Sequence, residues 1–397
     1  MSHSGFLVRT ALLDPARKVA AHEVAWQCGG TAPADALLLL LASALQGEGQ
    51  SWLLADGHLI VPLARSALPA LADTTLPPNG MTIAIDAAML DGGDGAALAQ
   101  DLRRRGFGLA LREADGLAID PALFAHATRL ELDGAGPELP ARLKRVMQQR
   151  RGGARIALRN IAAWPHYDTC ANAGFDVYTQ KLLGAPAPAH AVRGLNPAQA
   201  VILQLMNLVT CNADIRDIEA VLKRDPAISY KLFRYINSVG FGLGSEIHSI
   251  RHAVTMLGYS TLYRWLALLL ATASNSDYAA PLMKTAIIRG RFAELLGVTL
   301  LPKNEAENLF VAGMFSVLDR LLGQPMDEVL AQIPLSEALC EALLSRTGMY
   351  GPFLALAESC EQTDGGSAAL ADALFLNADQ VNRAHLAALA WAQNLKL

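Results

Sequence analysis

Basic charge is not in excess in this 397-residue chain: 33 Lys and Arg stand against 37 Asp and Glu, for a net charge of -4. That balance offers no general electrostatic footprint for nucleic acid or an anionic lipid surface, and neither is an expected partner. Cysteine is scarce. Cys28, Cys170, Cys211, Cys340 and Cys360 lie far apart, no C-x-x-C pair occurs, and nothing at the start reads as a secretory leader. Reduced thiols in a cytoplasmic protein are the expectation. Long apolar runs are also missing. Leu37 to Leu41 and Trp265 to Ala271 fall well short of the roughly 20 residues needed to cross a bilayer and fit buried helices, so no membrane anchor is expected. No Walker loop, nucleophile elbow or dinucleotide fingerprint stands where a strand would support it. His22-Glu23 opens like the zinc motif H-E-x-x-H, but position 26 is Trp. His248 and His252 are four apart without a third ligand, so a metal site there is not expected.

What is present is core-forming. Hydrophobic residues make up 52% of the chain and charged ones 18%, and the length calls for at least two domains. The first half alternates short apolar segments with helical ones. Strand candidates are Phe6 to Arg9, Lys18 to Trp26, Leu59 to Leu63, Met81 to Asp86, Gly108 to Leu111, Arg129 to Leu132, Arg155 to Leu158 and Val177 to Thr179. Helical patterns at 34–45, 95–105 and 138–151 lie between them, a βα rhythm that implies a mainly parallel sheet, closed or open. A stiff Pro-containing linker follows Gly184. Beyond it every periodic segment is helical. Asp225-Pro226 and Ser249 are helix starts, and Gly258 is a helix stop.

Three segments of the second half resemble the HDOD family, relatives of the HD phosphohydrolases: 222–238 (LKRDPAISYKLFRYINS), 247–258 (IHSIRHAVTMLG) and 309–319 (LFVAGMFSVLD). The first half resembles EAL domains, the (β/α)8 phosphodiesterases of cyclic di-GMP, through Arg17 to Gln27, Gly106 to Ala114, Arg129 to Gly134 and Gly174 to Pro186. The resemblance implies a degenerate EAL-type barrel over 1–186 and an HDOD helical bundle over 187–397, an α/β domain followed by an all-α one. At about 186 residues the first is short for a barrel of about 250, so trimmed helices are expected.

Hydrolysis in such a barrel needs carboxylates that hold hard divalent ions. Carried over residue by residue, the EAL pattern places its signature glutamate at Glu23, its asparagine at Pro62, an acidic position at Asp86 and its paired aspartates at Arg112 and Glu113. Its lysine falls at Glu131, its strand-end aspartate at Asp133, its later glutamates at Arg159 and Ala162, and its Gln-Gly at Thr179-Gln180. Arg112 sets a fixed cation where a metal ion should sit. In the bundle, Ser316 and Val317 take the His and Asp positions of the HD pair, and Arg289 stands where a ligand histidine would. These positions imply no catalytic residues, no metal and no cofactor, and hence not an enzyme. Arg289 and Asp319 are candidates for an ion pair in the vacated space, and the surviving carboxylates for pairing with Arg112 and Arg159. The expected function is regulatory, through an unidentified protein partner in bacterial cyclic di-GMP signalling. The alternatives are a receptor that binds the cyclic dinucleotide through Arg112, Arg159, Arg104 and Arg105, and a residual phosphodiesterase.

Overall fold

The structure is a computed structural model that describes residues 5–27, 36–45, 58–90, 92–113, 120–136, 138–150, 153–179, 181–184, 195–237, 247, 249–273, 278–363, 366–393 and 395. The linker, Gln180 and His248 lie outside them. Contacts divide the chain into one unit of 1–185 with 360–365 and a second of 186–359 with 366–397.

The first unit is a closed barrel of eight strands in sequential order: β1 (Phe6–Leu13), β2 (Val19–Gln27), β3 (His58–Pro62), β4 (Met81–Asp86), β5 (Gly108–Arg112), β6 (Arg129–Asp133), β7 (Arg155–Arg159) and β8 (Asp176–Tyr178). β1 runs antiparallel to both neighbours, β2 and β8, and every other pairing is parallel. All eight strand segments read from the sequence are therefore present, and the open-sheet alternative falls away. The connections are trimmed as expected. β3 and β4 are bridged by a five-residue helix, α2 (Leu68–Ala72), and β5 and β6 by a six-residue one, α4 (Pro121–His126), whereas α1 (Ala36–Leu45), α3 (Gly95–Arg104), α5 (Leu139–Gln149) and α6 (Trp164–Asn172) are longer.

Alternation along the strands fills the barrel in layers. Leu12, Ala21, Ile60, Ala84, Ala110, Ala157 and Tyr178 form a buried cluster whose alanines suit the narrow interior. In β6 the neighbours Leu130 and Leu132 are fully buried, while Arg129, Glu131 and Asp133 take the alternate positions. Arg129 and Arg155 both pair with Asp176, which is wholly buried at the start of β8. That end of the barrel is thus ionic too.

The second unit is all helical. α7 (Pro197–Thr210) opens with a capping box between Asn196 and Gln199. α8 (Ile215–Leu222) and α9 (Pro226–Ile236) follow; Asp225 accepts from the N–H groups of Ala227 and Ile228. Asp225→Ala is expected to cost about 1 kcal/mol, read as a lowered denaturation midpoint; no change would show the cap to be idle. Ser249 caps α10 (Ile250–Thr272), in which the expected stop at Gly258 is present: with φ 77 and ψ 170 the glycine breaks the helix, and a second helical run follows it directly. By length and composition α10 alone, among the described residues, is apolar enough to cross a membrane, and Trp265 to Ala271 are buried inside the unit.

α11 (Ala279–Gly297) and α12 (Lys303–Phe315) cross at two glycines, Gly290 and Gly313. A Cβ on Gly313 would stand 2.3 Å from the Gly290 Cα, so the two backbones are nearly in contact. α13 (Leu318–Leu322), α14 (Met326–Leu330), α15 (Glu337–Ser345), α16 (Gly351–Ser359), α17 (Ser367–Ala373) and α18 (Ala378–Gln393) complete the unit.

Candidate functional site

The carboxyl ends of the parallel strands gather most of the residues singled out in the first half. Pro62 ends β3, Asp86 β4, Arg112 β5, Asp133 β6 and Arg159 β7, with Glu23 on β2 and Glu131 one alternation inside Asp133. Parallel barrels build their sites at this end, because the loops leaving the strands can vary without disturbing the layers beneath. Arg112 and Arg159 are each followed by a non-glycine residue in the left-handed region, Glu113 at φ 49 and Asn160 at φ 59. Such residues are uncommon and turn the chain sharply off the strand.

Four side chains form one ionic cluster. Arg159 meets Glu23 with two nitrogens, at 2.7 and 3.0 Å, and Glu131 at 3.4 Å. Arg112 donates to Glu23 and, at 3.1 Å, to Glu131. The Tyr178 hydroxyl donates to the other Glu131 oxygen, and its ring lies 4.3 Å below the Arg159 guanidinium. The cluster has a vertical order. The Glu23 and Glu131 side chains are 4% and 0% exposed, the Arg112 and Arg159 side chains 18% and 16%, so solvent meets the guanidiniums first. Around them, Asp133 accepts from the Ala135 N–H and from Asn160, both at 3.0 Å, and Arg142 reaches Glu113 at 3.4 Å.

Burial pushes the Glu23 carboxyl up, but the Arg112 and Arg159 guanidiniums outweigh it and hold the group below its ordinary 4.5. Burial also drives Tyr178 well above the usual phenol range, so it remains a donor. For Asp133, hydrogen bonds from Ala135 and Asn160 outweigh burial and lower its pKa. A carboxyl depressed in the folded state contributes stability that is complete above its unfolded pKa and is lost as pH falls through the folded one. Barrel stability is therefore expected to decline below about pH 4.5 through Glu23. Denaturant titrations over the acid range check it: Glu23→Gln should flatten this limb, and an unchanged slope would sink the assignment.

Asp86 pairs in the ladder with Arg112, at the same mouth. Thr179 is buried, bonded through its hydroxyl to the Ala11 carbonyl at 3.0 Å. Two expected phosphate contacts fail. Arg104 and Arg105 end α3, which leads into the amino end of β5, so they stand at the opposite end of the barrel from Arg112. Arg104 pairs with Asp101, and Arg105 bonds the Leu71 carbonyl at 2.8 Å.

In the bundle, Arg289, Ser316 and Val317 are all buried. Arg289 donates to the Ser316 hydroxyl at 2.6 Å and to Glu358 of α16 at 2.9 Å. Arg346 grips the same carboxylate with two nitrogens, at 2.8 and 2.9 Å. The ion pair expected between Arg289 and Asp319 is thus replaced by one to Glu358, and Asp319 lies 3.9 Å from Arg320 instead. A helix-to-helix partner seventy residues away leaves no local spacing signal, which is why Glu358 and Arg346 escape a sequence reading. Tyr178, Arg142 and Asn160 were missed too; the period-two inward face of β8 does point to Tyr178.

Glu23 and Glu131 are the most deeply placed carboxylates at the mouth, and two guanidiniums between them repel a divalent cation. Among the described residues no group of three His, Cys, Asp or Glu side chains is placed to hold an ion. The arrangement does not fit a metal.

Comparison with known proteins gives the context. The family described as HDOD domain matches residues 195–332. The chain is 26% identical over 272 residues to a protein of Vibrio cholerae serotype O1 named Cyclic di-GMP phosphodiesterase CdgJ, covering 67% of this chain and 62% of that protein. It is 27% identical over 186 residues to Uncharacterized protein YuxH of Bacillus subtilis, 46% of this chain and 45% of that one. The matches therefore span less than two thirds of either relative. Among solved structures, the EAL enzyme Bd1971 in its cGMP-bound form has a TM-score of 0.33 at 9% identity, covering 43% of this chain and 60% of that one. A putative phosphohydrolase from Shewanella amazonensis SB2B has 0.38 at 14%, covering 51% and 95%. Neither likeness is close enough to bear on the fold.

The Vibrio relative corrects one expectation. A phosphodiesterase name on a protein aligned over two thirds of this chain points to an enzyme, so the reading of the chain as not an enzyme is withdrawn. One position was also misjudged: Glu131, counted as a loss because it replaces a lysine, adds a second carboxylate beside Glu23, the two sharing Arg112 and Arg159. Counting substitutions position by position does not measure what the assembled group can do. The chain thus has a closed eight-stranded barrel followed by a helical unit in which residues 195–332 match the HDOD domain model, and it is similar over 272 residues to a protein named a cyclic di-GMP phosphodiesterase.

Proposed function

We propose that the chain acts in cyclic di-GMP signalling by binding the dinucleotide at the carboxyl end of its barrel, with the HDOD domain as the part that meets a protein partner. The observation that carries this is the order of charges at the mouth: two guanidiniums reach solvent above two carboxylates that do not. Guanidinium forks match phosphate geometry, and a ligand phosphate approaching from solvent meets them before any carboxylate. The buried carboxylates hold both arginines in position before the ligand arrives, which lowers the ordering cost of binding.

The relative's name favours a second reading at the same place, in which the bound dinucleotide is hydrolysed. The carboxylates Glu23, Asp86, Glu131 and Asp133 are the groups available to it.

One experiment addresses both. Calorimetric titration with cyclic di-GMP is expected to show binding that weakens at least about tenfold in Arg112→Ala, roughly the worth of one lost charged contact. Absence of heat at millimolar ligand, or equal binding by the variant, would remove the proposal. Product analysis with added magnesium or manganese runs on the same samples. Turnover lost in Glu23→Gln assigns hydrolysis to this mouth.

A further inference from the structure

The helical unit contains a cavity of about 300 Å³ whose lining shares no residue with the Arg289–Ser316–Glu358 cluster, between α7, α10, α12 and the start of α15. Its volume stands at the lower end of the range for small-molecule sites. Two tyrosines form part of its lining, each held by its hydroxyl. The Tyr259 hydroxyl donates to the Ala213 carbonyl at 2.8 Å and that of Tyr263 to the Pro334 carbonyl at 2.9 Å. Their rings are thus fixed before any ligand arrives. Val311 and Leu339 add apolar lining.

The polar groups are few and of both signs. Arg264 lies 4.6 Å over the Phe310 ring and meets Glu294 at 2.8 Å through one nitrogen, Nη2. A guanidinium has five N–H donors, so donors remain for a ligand. Glu307 lines the same cavity and accepts from Ser260 at 2.7 Å through one oxygen, leaving acceptor sites on the carboxylate. Fixed aromatic surfaces beside a donor fork and a carboxylate suit a planar, uncharged ring with acceptors on one edge and N–H donors on the next. A phosphate would be repelled by Glu307, and a purely apolar ring would leave the remaining donors of Arg264 and acceptor sites of Glu307 unused.

We propose that this cavity binds a guanine-type base, Glu307 accepting from its amide and amino N–H groups and Arg264 donating to its carbonyl and ring-nitrogen edge. Arginine reads that edge of guanine in nucleic acids by the same geometry. Adenine presents an amino donor where guanine has its carbonyl, so it faces Arg264 donor to donor and is rejected.

The proposal stands apart from phosphate binding at the barrel, and its probe is guanosine, which has no phosphate. Saturation-transfer NMR and calorimetry on the full chain are expected to show guanosine binding, with adenosine at least about tenfold weaker. Glu307→Gln, a half-buried position, is expected to weaken guanosine at least about tenfold, and Thr210→Trp, an exposed lining position, to block it. No guanosine signal at millimolar concentration, equal binding of adenosine, or unchanged binding in both variants would overturn the assignment. None of those results touches the titration of cyclic di-GMP with Arg112→Ala, so the two readings fail separately.

Discussion

Glu23→Ala is expected to destabilise the barrel by roughly 3 kcal/mol, the lower end of what breaking a buried ion pair costs, because both arginines reach solvent in part. The carboxylate accepts from Arg112 and takes two nitrogens of Arg159. Removing it leaves two guanidiniums facing each other with Glu131 as their shared counter-charge. The loss is therefore mainly the cost of two under-compensated cations, not the worth of the bonds removed. Adding Arg159→Met to Glu23→Ala should return part of the stability, since one surplus charge goes with it and the stem still covers the Tyr178 ring. The exposed pair Arg65–Asp94 supplies the contrast: its side chains are 37% and 64% exposed, and Asp94→Ala should change stability by less than about 0.5 kcal/mol. Denaturant midpoints for the four proteins decide the matter. Should Glu23→Ala fall with Asp94→Ala, the cluster is not holding the barrel.

Gly313→Ala is expected to destabilise the helical unit by roughly 2–3 kcal/mol, against the sign that helix propensity predicts. Alanine in place of glycine normally favours a helix by about 1 kcal/mol. Here the new methyl would sit 2.3 Å from the Gly290 Cα, 2.4 Å from its nitrogen and 2.8 Å from the Arg289 carbonyl carbon, all of them backbone atoms with no rotamer to yield. α11 and α12 must separate, and with them Arg289 and Ser316, which are joined across that crossing at 2.6 Å. A melting temperature that stays level or rises would show that the helices have room. Gly290→Ala meets the Phe310 carbonyl oxygen at 2.6 Å and should behave alike.

The barrel was legible because its strands carry alternation that helices do not share. Leu130 and Leu132 against Arg129, Glu131 and Asp133 is a period-two pattern on its face, and each strand end was placed by it to within a few residues. What the pattern could not convey was the relative height of charges. Glu23 and Glu131 end up beneath Arg112 and Arg159 because strand stagger in a closed barrel offsets neighbours along the axis, a property of the assembled sheet and of no single segment. Arg104 and Arg105 show the reverse failure. Within eight residues of Arg112 in sequence, they belong to the other end of the barrel, since a βα unit returns the chain to its start before the next strand. In the bundle the capped helix starts at Asp225 and Ser249 were readable from local chemistry. Gly258 was readable too, as a glycine at positive φ that ends one helical run; what local chemistry did not show is that a second run starts directly after it.

The two charged layers of the barrel also act as an address. Arg129, Arg155 and Asp176 close one end of the interior, and Glu23, Arg112, Glu131 and Arg159 the other, with the alanine layer between. A slip of one residue in the pairing of β6 would turn Arg129, Glu131 and Asp133 outward into the apolar layer beneath the helices and bring Leu130 and Leu132 to the centre. A closure slipped by one residue would strand several charges at once without partners. An interior of alanines alone would tolerate such errors, because small side chains fit almost any neighbour. The ions reject a one-residue slip of the strands that carry them.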